Sequence, residues 1–332
     1  MRAKCKKDTV KLAIIQTGNH YEDQSSGYSE ATSLIGQAAS QGAILAVLPE
    51  LSGCGYIPNQ SIWQHAELSD GNTAKWASKL SVQLGIYIGA GFAETDGKDF
   101  YNSYLISNPK GDICGIVRKE YAETYCFRSG KGATYIDTEI GRFGIGICAD
   151  NHFIDRLVRM KDAEIDLMLM PHANPMPYKT NKLTSQKDIE LQMQNPITIA
   201  AAYSNYLRVP AVYVNPVGSY PEFSGGVGAK SFNENFKLLG VSLIMDAHGK
   251  MTERMDDSIG FLVSAISLDK PSIEPITPLV YQGKWLHKGN PIVRYIIMPN
   301  MAKKGIRSYN KNHTVYVTDA MRTAGRNNQL FM

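Results

Sequence analysis

Short apolar runs alternate with amphipathic stretches along most of this chain. KLAIIQ (residues 11–16) and AILAVL (residues 43–48) have the length and composition of buried strands. Between them, residues 28–41 carry apolar side chains at helical spacing, namely Ala31, Leu34, Ile35 and Ala38. Gly42 follows this stretch and is placed to terminate the helix. Strands separated by helices predict a layered α/β fold.

The same alternation continues through the second half of the chain and then weakens. The further predicted elements are a helix near 73–84, strands at 86–93, 101–107, 113–119 and 143–148, a helix near 153–163, a strand at 166–171, a helix ending near Asn205, and strands at 211–216, 241–246 and 260–266. Pro196 lies inside the last predicted helix, where a proline normally kinks or ends the helix. We predict one domain over residues 1–270 and a basic C-terminal extension over residues 271–332, which packs on the core or on a neighbouring subunit.

The charge of the chain is small except near its C-terminus. The 332 residues carry a formal net charge of +4, and they contain no zinc finger, RNP sequence or basic heptad region, so we expect no nucleic-acid partner. Near the C-terminus, Asp319 is the single acid among nine basic residues: Lys284, Lys288, Arg294, Lys303, Lys304, Arg307, Lys311, Arg322 and Arg326. A segment of this kind either binds an anionic partner or forms a solvated tail, and we favour the tail.

The five cysteines are odd in number and widely spaced, which is not the pattern of a disulfide-stabilised chain. They therefore favour a reducing compartment. The apolar stretch after the basic N-terminus, LAII, is too short for the core of a signal peptide. No apolar run approaches the roughly 20 residues that a membrane helix requires. We expect a cytoplasmic protein with no membrane partner.

Three predicted strands end in a chemically reactive residue: Glu50, Lys119 and Cys148. In layered α/β folds, sites lie beyond the carboxyl ends of the strands. A cysteine there is a candidate nucleophile, a carboxylate can remove its proton, and a lysine ammonium can stabilise an oxyanion. Each residue also has a simpler interpretation. A buried cysteine is common in protein cores, Glu50 could be a solvated charge, and Lys119 could belong to an exposed turn.

Three segments in this order make the chain similar to a known family. PELSGCGY (residues 49–56), VRKEYAE (residues 117–123) and GRFGIGICADNHFID (residues 141–155) resemble the three catalytic segments of the nitrilase superfamily of carbon-nitrogen hydrolases. Weaker likenesses are found at residues 212–218 and 239–250, and the whole resemblance runs from about residue 11 to about residue 270. The resemblance implies a four-layer αββα sandwich and a homo-oligomer in which this sandwich extends across subunits.

The resemblance also implies a catalytic set. Glu50 is the general base, Lys119 the oxyanion donor and Cys148 the nucleophile, while a second family glutamate falls on Glu123, with Glu120 as a competitor. The implied chemistry is hydrolysis of a small-molecule carbon-nitrogen bond through a cysteine thioester, and it requires neither a metal nor an organic cofactor. Consistently, the seven histidines show no zinc-ligand spacing. The residues expected to bind the substrate are Tyr56, Ala149, Asn151, His152, His172 and Tyr178.

The substrate class is the least determined part of this prediction. Family members that act on nitriles typically carry Trp-Glu after the cysteine, whereas Ala149 and Asp150 follow it here, so an amide or carbamoyl substrate is favoured over a nitrile. Two alternatives stay open, namely nitrile hydrolysis in the same site and an inactive scaffold that binds a ligand. A Cys148–His172 protease pair would leave the other two reactive residues unexplained. The glycine-rich run at residues 224–231 lacks the Gly-Lys pair of a phosphate loop.

Overall fold

The computed structural model describes residues 8–181, 184–223, 235–278, 283–286 and 291–327. Its strands, numbered in chain order, are β1 (Thr9–Gln16), β2 (Leu45–Val47), β3 (Tyr87–Thr95), β4 (Phe100–Ser107), β5 (Ile113–Arg118), β6 (Tyr135–Thr138), β7 (Gly141–Ile145), β8 (Leu167–Pro171), β9 (Pro175–Pro177), β10 (Ala211–Val214), β11 (Val217–Gly218), β12 (Phe236–Leu239), β13 (Leu243–Met245), β14 (Met251–Arg254) and β15 (Gly260–Ser267). Its α-helices are α1 (Gln24–Ser40), α2 (Asn72–Leu84), α3 (Ile154–Asp162), α4 (Gln186–Leu207) and α5 (Met298–Asn327). Short 3₁₀ turns are formed by Gln60–His65 and Cys148–His152.

Two six-stranded sheets form the centre of the fold. One has the strand order β15-β1-β2-β3-β4-β5 and the other the order β14-β13-β10-β8-β7-β6, while β11, β12 and β9 form a smaller sheet. The neighbours β1, β2 and β3 are parallel, as are β7, β8 and β10. Because parallel strands end at the same edge of a sheet, loops that follow them gather there.

The side chains of each central strand alternate between two apolar layers. In β1, Leu12 and Ile14 lie between the two sheets, whereas Ala13 and Ile15 face α1 and α2. Strand β8 repeats this arrangement, with its leucines between the sheets and its methionines against α3 and α4. Full burial of one such side chain contributes roughly 1.5–3 kcal/mol, so strands that are apolar on both faces need cover on both. The helices supply that cover, and the predicted four-layer αββα fold is confirmed.

Helix α4 continues through Pro196 rather than ending there. It begins at a capping box formed by Ser185 and Asp188, and it ends at Leu207, followed by Arg208 in the left-handed conformation. An interior proline costs about 3 kcal/mol because it removes one hydrogen bond and crowds the preceding turn. Burial of the helix face that includes Tyr203 against the second sheet offsets this cost.

The structure corrects several boundaries drawn from the sequence. Strands β6, β9, β11, β12 and β14 were not predicted, because runs of two to four residues are too short to carry a periodic pattern. Strands β2 and β7 end before the reactive residues that follow them, so Glu50 and Cys148 lie in turns rather than at the last strand position. The glycine-rich run at residues 224–231 lies outside the described residues.

The extension after residue 270 contains α5, a helix that the sequence analysis did not predict. Large apolar side chains such as Met298 and Ile306 are exposed on it, so its apolar residues are not confined to the face that packs on the core. Tyr309 is nevertheless buried and joins α5 to the rest of the molecule. Across the described residues, no helix is both long enough and apolar enough to cross a bilayer.

The loop that follows β2 packs against Thr73, which binds the carboxyl group of Glu67. Gly53 in this loop lies so near the Thr73 hydroxyl that a Cβ at position 53 would collide with it. Thr73 donates its backbone N–H to Glu67 Oε2 at 2.9 Å and its hydroxyl to Oε1. Although part of the Glu67 side chain is accessible, burial of the carboxyl group raises its pKa from 4.5 to about 7, against the opposing effect of the Thr73 hydrogen bonds.

Replacing Glu67 with glutamine is therefore expected to make the stability of the protein less dependent on pH. The folded protein keeps this proton until about pH 7, whereas the unfolded chain loses it near pH 4.5. Wild-type stability consequently falls as the pH rises through this window, by at most about 3 kcal/mol. Urea unfolding at about pH 5 and about pH 8 measures the effect. A stability difference between wild type and Glu67→Gln that is the same at both pH values would contradict the expectation.

Candidate active site

Four strand ends meet at one edge of the two central sheets. Glu50 follows β2 and Lys119 follows β5 in the first sheet, while Cys148 follows β7 and His172 follows β8 in the second. The backbone N–H of Glu50 donates to the carbonyl oxygen of His172 at 3.3 Å, which joins the two sheets at this edge. Glu50, Lys119 and Cys148, three of the four residues that the sequence analysis predicts to be catalytic, are thus brought to one region by the two sheets.

Lys119 lies between two carboxylates. Its Nζ is 2.5 Å from Glu50 Oε1 and 2.5 Å from Glu123 Oε1. The side chains of Lys119 and Glu50 are fully buried, whereas that of Glu123 is 24% exposed. The simpler interpretations of Glu50 as a solvated charge and of Lys119 as part of an exposed turn are therefore wrong.

The protonation of this cluster follows from its burial and its charges. Burial alone would lower the pKa of Lys119, but attraction to Glu123 and Glu50 outweighs burial and raises the pKa well above its ordinary value. Burial raises the pKa of Glu50, with Lys119 opposing and Glu123 adding to the rise. The cluster thus combines a lysine that stays charged with a carboxylate whose proton affinity is increased.

Asn102 is a member of this cluster that the sequence analysis missed. It lies in β4 and donates through Nδ2 to Glu50 Oε1 at 2.7 Å and to Glu123 Oε2 at 3.4 Å. The other Glu50 oxygen accepts the backbone N–H of Ala173 at 2.7 Å. The available signal was a buried amide within the otherwise apolar or hydroxylated strand FYNSYLIS. These donors hold the Glu50 carboxylate in one orientation.

Cys148 begins a short 3₁₀ turn directly after the end of β7. Its φ of 44° places a non-glycine residue in the left-handed region, and such strain is most often found at functional sites. The side chain is half-buried. Burial and the charge of Glu50 raise the pKa of the thiol well above its ordinary value, with Lys119 acting in the opposite direction. The resting side chain is therefore a thiol that needs a base before it can attack.

Asp150 connects the cysteine turn to the segment that carries the lysine. Its Oδ1 accepts the backbone N–H groups of Glu120 at 3.1 Å and Tyr121 at 2.8 Å, directly after Lys119. Its Oδ2 accepts the N–H of Ile147 at 3.4 Å, directly before Cys148. The sequence analysis gave this buried carboxyl no role. Its contacts fix the lysine segment and the cysteine turn relative to each other.

The two candidates for the second acid have different surroundings. Glu123 contacts Lys119, as described above, whereas Glu120 forms ion pairs with Arg156 at 3.3 Å and with Arg159 at 2.6 Å. Glu120 therefore belongs to a charge network on the other side of the lysine segment. These contacts favour Glu123 as the second acid of the site.

His172 and Asn151 are buried, and both contact the ends of the second sheet. Asn151 Nδ2 donates to the carbonyl oxygen of Gly146 at 2.6 Å and lies 3.0 Å from His172 Nε2. Burial and the nearby lysine lower the pKa of His172 well below its ordinary value, so its ring is neutral. The His152 ring lies 6.2 Å from that of His172. No hydrogen bond between Cys148 and His172 is found among the described residues, which disfavours the protease-type pair.

Tyr56 belongs to an aromatic group in the loop that follows Glu50. Its ring packs edge-on against Tyr220 at 5.9 Å and Phe223 at 6.2 Å. Burial raises the pKa of Tyr56, and the charges of Glu123 and Glu50 raise it further. These rings form part of a continuous apolar cluster, and a substrate contact of Tyr56 stays a prediction.

Tyr178 and Ala149 occupy different parts of the region. Tyr178 is 40% exposed. The ammonium groups of Lys237 and Lys179 form cation–π contacts with its ring, at 4.7 Å and 5.3 Å from the ring centroid. Ala149 is half-buried and follows Cys148 in the 3₁₀ turn. Substrate contacts for both residues stay predictions.

Comparison with known proteins matches most of the chain to one family. The family described as Carbon-nitrogen hydrolase matches residues 11–270. A protein named Nitrilase from Pyrococcus abyssi is 34% identical over 178 residues, which cover 51% of this chain and 67% of that protein. A protein named Citrullinase from Francisella tularensis is 29% identical over 178 residues, covering 49% of this chain and 61% of that protein. The aligned region thus spans about two thirds or less of either relative.

A solved structure has the same fold. The crystal structure of a carbon-nitrogen hydrolase from Helicobacter pylori G27 superposes with a TM-score of 0.69 at 20% sequence identity. The superposition covers 79% of this chain and 90% of that one. At this identity the likeness supports the architecture of the two layered sheets and not a substrate.

Proposed function

Because the chain belongs to the carbon-nitrogen hydrolase family of the nitrilase superfamily, we propose that it hydrolyses an amide or carbamoyl group of a small molecule through a thioester on Cys148. The observation that carries this proposal is the buried contact of Lys119 with Glu50 and Glu123 at the strand ends next to the cysteine turn. A structural core has little use for such a group of charges, because burying them is costly.

The proposed reaction begins with proton transfer from the Cys148 thiol to Glu50. The thiolate attacks the carbonyl carbon, and Lys119 together with the backbone N–H of Ala149 stabilises the oxyanion that forms. Glu50 returns the proton to the nitrogen as the carbon-nitrogen bond breaks, which releases ammonia or an amine and leaves a thioester. A water molecule deprotonated by Glu50 then attacks the thioester, and the thiol is regenerated as the acid departs.

The surroundings of Glu50 support its role as the base. A base that works near neutral pH needs a proton affinity above that of an ordinary carboxylate, and burial supplies this increase. The donors from Asn102 and Ala173 keep both of its oxygens in fixed directions. Glu123, which shares Lys119 with Glu50, is proposed to position the substrate or the attacking water.

Amide or carbamoyl substrates are favoured over nitriles by the residues that follow the nucleophile. Ala149 and Asp150 stand where nitrile-hydrolysing family members typically carry Trp-Glu. The names nitrilase and citrullinase indicate different kinds of carbon-nitrogen bond. The names of the relatives therefore do not identify the substrate of this chain. Family membership also supports a cytoplasmic protein whose hydrolase domain lies within residues 1–270. It supports a homo-oligomer as well, and size-exclusion chromatography with light scattering would measure the number of subunits.

The proposal is tested by measuring ammonia release from a panel of small amides, carbamoyl compounds and nitriles. Rapid acid quenching followed by peptide mass spectrometry detects the intermediate on Cys148. We expect release from amide or carbamoyl members, together with a mass increase on the Cys148 peptide equal to the acyl group. Release from nitriles alone would replace the amide assignment with nitrile hydrolysis. Absence of both release and adduct would favour the inactive scaffold.

A further inference from the structure

The C-terminal extension lies outside the family match, yet it contacts the segment that follows the nucleophile. The backbone N–H of Ile154 donates to the carbonyl oxygen of Lys284 at 2.9 Å, and that of Leu286 donates to the carbonyl oxygen of His152 at 3.0 Å. The buried Leu286 side chain joins the core of the second sheet. The extension is thus hydrogen-bonded to the chain directly after the cysteine turn.

Helix α5 of the same extension packs against the residue that follows Glu123. Gly305 approaches Thr124 so closely that a Cβ at position 305 would collide with the Thr124 hydroxyl oxygen. That Cβ would also lie 2.9 Å from the Thr124 Cβ and 3.0 Å from its carbonyl carbon. Because one of these atoms belongs to the backbone, rotation of the threonine side chain cannot relieve the overlap.

Tyr309, one helical turn further along α5, anchors the helix at this place. Its hydroxyl donates to Asp99 Oδ1 at 2.9 Å and accepts the backbone N–H of Phe100 at 2.9 Å. Asp99 in turn accepts from Arg128 Nε at 3.0 Å. The Tyr309 ring packs edge-on against Trp63 at 5.8 Å. The buried tyrosine therefore fixes the position of α5 next to residues 123–128.

Trp63 also binds residues 123–128, the segment that begins with Glu123. Its indole Nε1 donates to the carbonyl oxygen of Cys126 at 2.5 Å. The backbone N–H of Cys126 donates to the carbonyl oxygen of Glu123 at 2.8 Å. The turn that carries Glu123 is consequently in contact with both Trp63 and α5, while the Glu123 side chain reaches Lys119.

We propose that the C-terminal extension is a positioning element of the catalytic centre, in which the contact between Gly305 and Thr124 fixes Glu123 against Lys119. The contribution to hydrolysis rests on the function proposed above, whereas the positioning of Glu123 does not. Gly305 and Tyr309 are positioning residues, since neither touches the reacting atoms.

Two glycine-to-alanine changes in the full chain test this proposal. Gly305→Ala places a Cβ against Thr124, whereas Gly36→Ala, within α1, places a Cβ where nothing lies within 4 Å. Both glycines are interior to helices, so both substitutions gain the same helix propensity and differ only in the contact. Should Gly305→Ala fail to fold, Tyr309→Phe removes the hydroxyl contacts and keeps the ring.

The first measurement is the rate at which iodoacetamide alkylates Cys148, followed by peptide mass spectrometry as a function of pH. This rate reports the charges around the thiol and needs no substrate. The negative charge of Glu123 raises the pKa of Cys148, so displacement of Glu123 should move the alkylation midpoint to lower pH. We expect alkylation of Gly305→Ala below the wild-type midpoint to be roughly three to ten times faster, with Gly36→Ala unchanged.

The second measurement is kcat on a substrate found with the panel, where Gly305→Ala is expected to lose about tenfold or more. Adding Thr124→Gly to Gly305→Ala removes the side-chain part of the collision. The alkylation profile of Cys148 and kcat should then both return toward their wild-type values. Equal alkylation profiles for Gly305→Ala and Gly36→Ala would overturn the positioning role, even if Gly305→Ala were less stable. A shifted alkylation profile in a chain that hydrolyses no panel member would uphold positioning and count against the proposed function.

Discussion

Replacing Cys148 with alanine is expected to lower kcat by about 10⁴-fold or more on any substrate that the wild type hydrolyses. The thiol forms the covalent bond of the proposed reaction, and neither Glu50 nor Lys119 can replace it as nucleophile. Substrate binding should change little, because the sulfur atom makes its main contribution in the chemical step. Single-turnover kinetics with a panel substrate separates the loss of chemistry from any loss of binding.

Cys114 offers a matched control for this substitution. It is half-buried like Cys148, but it lies within β5 and packs against the apolar layer between the sheets. Cys114→Ala should therefore retain wild-type kcat and show at most a small loss of stability. Hydrolysis that persists in Cys148→Ala, or an equal loss in Cys114→Ala, would argue against a thioester on Cys148.

The fold was predictable wherever one strand buries both of its faces. Runs such as LAII in β1 place alternate side chains in two different apolar layers. A strand that is apolar on both faces needs cover on both, and this requirement can be recognised from the sequence alone. The pairing of the two sheets was not visible, because the contacts between Leu12 and the second sheet join residues far apart in the chain. Only the resemblance to a known family indicated that two such sheets face each other.

The candidate site was predictable to the extent that its residues follow buried strands. Glu50 and Cys148 stand after such strands, Lys119 follows the half-buried strand β5, and the structure brings all three to one edge. Asn102 was missed because it lies inside β4, where its approach to Glu50 depends on the pairing of strands and not on local sequence. The distinction between Glu120 and Glu123 likewise required the positions of Arg156 and Arg159.

The C-terminal helix shows why propensity alone did not predict the extension. Pro299 and Gly305 weaken a helical pattern, and exposed apolar residues such as Ile306 obscure the apolar face. The helix is instead stabilised by contacts of a few residues, above all the buried Tyr309 with its hydrogen bonds to Asp99 and Phe100. Such tertiary contacts leave no periodic signal in the sequence.

Replacing Lys119 with methionine is expected to lower kcat/KM by about 10³-fold. The ammonium group is the proposed donor to the oxyanion, and methionine has a similar length but no charge. Loss of this charge also leaves Glu50 and Glu123 facing each other without a cation between them. Repulsion between the two carboxylates raises the pKa of Glu50 further, so the acidic limb of the pH–rate profile should move to higher pH.

The same substitution is expected to destabilise the protein by about 3–5 kcal/mol, because it breaks a buried ion pair at one partner. A second change separates this structural cost from the catalytic one. Lys119→Met combined with Glu123→Gln removes one of the two facing charges, so urea unfolding should show part of the stability regained while hydrolysis stays at or below the level of Lys119→Met. Recovery of activity together with stability would mean that Lys119 acts only by holding the fold, and it would remove the lysine from the proposed mechanism.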